Sequence, residues 1–78
     1  MPVHYKKNLA VFDEVVSVED AEDLLQWCQK NPNAKADFSG CIHLHAANLQ
    51  VLMAAGVSIT VWPHDQPLAT WLHAAMDA

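Results

Sequence analysis

Asp37, Ser39, Cys41, His43 and His45 stand at every second position of "ADFSGCIHLHAANLQVLMAAG", residues 36 to 56. A thiol and two imidazoles at this spacing are soft and borderline ligands of the kind that hold zinc or copper. On an extended chain Cys41, His43 and His45 share one face, and Cys28, His64 or His4 can supply a fourth ligand. The same residues also suggest covalent catalysis, with Cys41 as nucleophile and His43 or His45 as its activating base. A third account needs no chemistry, only a small buried thiol between surface histidines. Zinc signatures come as paired clusters, and this one has no second half. Packing is therefore the simpler account, and the metal- or small-ligand-binding site is kept as the alternative.

Catalysis fits less well. A chain of 78 residues leaves little room for a substrate pocket of the usual size. Its two glycines, Gly40 and Gly56, make no phosphate loop, and it contains no arginine, the commonest bidentate phosphate clamp. No enzyme activity and no cofactor are expected.

Hydrophobic periodicity supplies the elements that must position these residues. Residues 8 to 12, NLAVF, predict a strand, preceded by a second at Val3 to Tyr5. Ser17 reads as an N-cap with Asp20 three positions on, a capping-box arrangement. Val18, Ala21, Leu24, Leu25 and Cys28 form one helical face, Lys30 sits in the last turn and NPN at 31 to 33 ends the helix. Ala34 to Phe38 is a brief strand, which Gly40 lets the chain leave. A helix from about His45 to Ala55 presents Ala46, Leu49, Leu52 and Met53 together and stops at Gly56. VSITVW, Val57 to Trp62, is a β-branched strand closed by Pro63. Pro67 suits the first turn of a last helix, whose stripe is Leu68, Trp71, Leu72, Ala75 and Met76.

Strand, helix, strand, helix, strand, helix (βαβαβα) predicts right-handed crossovers between neighbouring parallel strands. The expected fold is α/β: a small two-layer sandwich with a mostly parallel sheet of three or four strands and three helices. Residues 1–78 read as one domain.

The formal charge is −5, with four lysines, and six of the nine acidic residues fall between Asp13 and Asp23. Scattered lysines make no phosphate-binding stripe, so nucleic acid is an unsuitable partner. The acidic run reads as the solvated first turn of a helix, able also to steer a basic partner. No stretch reaches the ~20 apolar residues of a membrane span, and MPVHYKKNLAVF has no signal-peptide core. Two cysteines without a leader suit a reducing compartment. A soluble, cytoplasmic protein with no direct membrane insertion is expected.

The central stretch "ADFSGCIHLHAANLQVLMAAGVSITVW", after a first helix in VVSVEDAEDLLQWC, resembles the STAS domain of sulfate transporters and anti-sigma factor antagonists over roughly residues 9 to 76. Asp37-Phe38-Ser39-Gly40 matches that family's strand end, and His45-Ala46-Ala47-Asn48-Leu49 matches its loop and helix start. The resemblance implies a non-catalytic, STAS-like regulatory module that docks on a protein partner: a kinase-like anti-sigma factor, a sensory complex or a transporter subunit. In the antagonists the first serine of the loop is phosphorylated. Ala46 stands at that position and His45 takes the place of the preceding Asp, so the usual charge switch has no hydroxyl to act on. Ser39 matches a different position and reads as a turn or cap.

The docking surface expected from this resemblance is His43, His45, Ala46 and Asn48. The strand reading places Trp62 on the far face of the sheet, beside Ser58 and Thr60, either half-exposed as an interface anchor or partly buried beneath the termini. Histidines at the surface would make docking sensitive to pH near neutrality. An uncovered sheet face or edge also allows a homodimer.

Overall fold

A computed structural model describes residues 2–76. Its elements are β1 (Val3–Tyr5), β2 (Leu9–Val16), α1 (Asp20–Lys30), β3 (Lys35–Leu44), α2 (Ala46–Ala55), β4 (Ser58–Val61) and α3 (Gln66–Met76). They form a small α/β domain whose mixed sheet has the order β1-β2-β3-β4. β1 is antiparallel to β2, whereas β2, β3 and β4 are parallel.

The core lies against one side of this sheet. Val3 pairs with Phe12, Ala10 with Ala36 and Val16 with Leu44, and all six are buried. Phe12 stacks on Phe38 at a centroid distance of 4.4 Å. Leu24 and Cys28 of α1, Leu49 and Leu52 of α2, and Leu68 and Leu72 of α3 complete the same cluster. At the edge, Tyr5 of β1 meets Trp27 of α1 with ring centroids 5.1 Å apart.

β3 departs most from the expected boundaries. Instead of ending near Phe38 it continues to Leu44, ten residues set against eight of β2. The two extra residues are taken up at register shifts between Val11 and Asp13 and between Glu14 and Val15. At the first shift, Asp37 Oδ1 accepts the Ser39 N–H at 2.9 Å. At the second, Glu14 takes φ 53°, a conformation uncommon for a residue with a side chain. Gly40 is not a turn. It lies in the strand beside β2, where a Cβ would collide with the Asp13 carboxylate.

These irregularities break the period of two. Phe38, Cys41 and Leu44 are buried, three residues apart, while Ile42 and His43 face solvent. β2 likewise runs past the expected Phe12, to Val16.

The helices begin with local hydrogen bonds. The expected N-cap Ser17 lies ahead of α1, whose N-cap is Glu19 with no side-chain cap bond; of the expected capping box, Asp20 Oδ2 accepts from the Ser17 N–H at 3.0 Å and from the Ser17 hydroxyl at 3.2 Å. Leu24 and Cys28 of the proposed face are buried, but Val18 and Leu25 are exposed. Gly56 ends α2 with φ 67°, its N–H returning to Leu52 and Met53. That helix turns Asn48, Leu49 and Leu52 inward and leaves Ala46 and Met53 exposed. Asp65 caps α3, accepting the Leu68 N–H at 3.1 Å.

Candidate functional site

Because β2, β3 and β4 are parallel, their carboxyl ends and the starts of the helices that follow share one pole. At this pole the His45 N–H donates to the Val16 carbonyl at 2.9 Å. His45 then caps α2, its Nδ1 accepting the Ala47 N–H at 3.0 Å. Ala46 follows at the first helical position, exposed.

Beside this junction lies an open groove of about 310 Å³, lined by Ile42, His43, Leu44, Asp65, Pro67, Leu68 and Trp71. Ile42 is 59% exposed and Trp71 38%. The wall is predominantly apolar, with the imidazole of His43 and the carboxylate of Asp65 as its ionisable groups. Val15, also exposed, pairs with His43 but does not line the groove. Such an arrangement can seat apolar side chains; it offers no activated nucleophile.

Cys41 illustrates the last point. It is buried, with its Sγ 3.4 Å from the His43 carbonyl. Burial pushes the thiol up to about 11, against a smaller lowering by the hydrogen bond to the His43 backbone. At neutral pH it is held as the thiol, not the reactive thiolate. The expected row of ligands is not assembled either, since Cys41 turns inward while His43 and His45 point to solvent. No group of three or more His, Cys, Asp or Glu among the described residues could hold a metal ion.

Two further expected surface residues are engaged by the fold itself, one buried and one half-buried. Asn48 is 0% exposed, and its Nδ2 donates to the Ser17 carbonyl at 2.8 Å. It ties α2 to the turn before α1 and presents nothing to a partner. Trp62 is half-buried and stacks on His73 of α3 at 3.6 Å, with the rings 16° apart. The ladder explains the change: β4 pairs Ala36 with Ile59 but Asp37 with Val61, so alternation is lost before Trp62 is reached. Conversely, Trp71, expected in the core, lines the groove.

Sequence reading missed Ile42 and Val15. Their signal was an apolar residue out of phase with the buried positions, which becomes legible only when the irregularities of β3 are known.

A second, more polar depression is lined by Pro2, His4, Asp13, Glu14 and Val15. Within it His4 Nε2 lies 3.3 Å from Asp13 Oδ2, both side chains about half exposed. Among the described residues no helix is long and apolar enough to cross a membrane. No family model, curated protein or solved structure matches the chain.

Proposed function

We propose that this chain is a non-catalytic protein-binding module, STAS-like in organisation, that regulates a partner by docking through the pole at the carboxyl ends of β2 and β3. One observation carries the reading: Ile42 and Trp71 are exposed on either side of a groove floored by core residues. Large apolar side chains grouped around a concavity are a common mark of an interaction site. The strand order supports the STAS-like organisation, because an antiparallel first pair is followed by parallel strands joined through helices. So does the strand-to-helix junction at His45 and Ala46. With alanine at the position matched to the phosphoserine, docking is constitutive or is controlled by something other than phosphorylation there. Candidate partners are the kinase-like, sensory and transporter proteins that the resemblance implies.

The test is affinity capture from the cells of origin with three baits: the wild-type chain, an Ile42→Ser/Trp71→Ser variant and a Lys30→Ser control. The expected result is a stoichiometric partner held by wild type and control and lost from the groove variant. Capture unchanged by the groove substitutions would reject the assignment.

A further inference from the structure

We draw no further inference here: the strongest candidate, the uncharged outer edge of β4 at Ser58–Val61 with the depression lined by Val57, Ser58, Ile59, Trp62 and Met76 beside it, carries nothing, because nothing in the structure shows what covers it.

Discussion

Asn48 Nδ2 donates to the Ser17 carbonyl oxygen at 2.8 Å, joining two segments that lie 31 residues apart in the chain. The bond fixes the start of α2 to the turn between β2 and α1. The pole that carries the groove is thereby held from inside. Asn48 Oδ1 is buried without a hydrogen-bond partner among the described residues, so this residue contributes geometry at some cost in desolvation.

Asn48→Ala removes the donor and leaves a void. The expected loss is about 2 kcal/mol of unfolding free energy, read as a lower urea midpoint with an unchanged slope. A neutral result would mean that the Ser17 carbonyl finds water instead and that the tie is dispensable.

Gly40 and Asp13 are complementary in shape, since a Cβ at position 40 meets the Asp13 carboxylate. Gly40→Ala is expected to cost roughly 1–3 kcal/mol. Asp13→Ala should relieve much of that cost in the double variant, giving a coupling above about 0.5 kcal/mol in a double-mutant cycle. Simple additivity would show that position 40 is constrained by something other than Asp13.

At His45 the cap can be separated from docking. His45→Ala should cost about 1 kcal/mol, the usual value of an N-cap. His45→Asp should retain or exceed wild-type stability, because a carboxylate both accepts the amide bond and faces the positive end of the helix. Equal losses in both variants would show that the imidazole acts by packing, not by capping.

Alkaline pH should destabilise the fold in a defined window. Burial raises Cys41 from 9.0 to about 11, and burial, then Asp23, raises Tyr5 from 10.0 to about 12. Above pH 9 the unfolded chain sheds protons that the native state retains, so stability falls with rising pH. The decline begins near the unfolded thiol value and continues to about 12, and Tyr5→Phe should flatten its upper part. Urea midpoints across that range check the sign. At neutral pH, Cys41 should react with a thiol reagent at least about tenfold more slowly in the native chain than in denaturant.

Much of the architecture is legible in the sequence because helix signals are local. Ser17 and Asp20, Gly56, and Pro67 each mark a terminus through bonds or dihedrals made within a few residues. The register of β3 is not local. Asp37 folding back on Ser39, Gly40 passing Asp13 and Glu14 at positive φ are visible only once β2 lies alongside. Those irregularities decide which of Cys41, Ile42 and His43 faces solvent. The row of cysteine and histidines therefore looked like a ligand set, while the exposed Ile42 beside it went unnoticed. Asn48 failed as a surface residue for a related reason: Ser17, its partner, lies 31 positions away in the chain.

The most direct measurement replaces Ile42, one position at a time with Lys30 as control, by a photoreactive amino acid in the cells of origin and identifies what is joined to the chain on irradiation. The account predicts a discrete adduct with one protein from position 42 and none from position 30. Identical products from both positions, or none from position 42 when the chain is demonstrably folded, would contradict it.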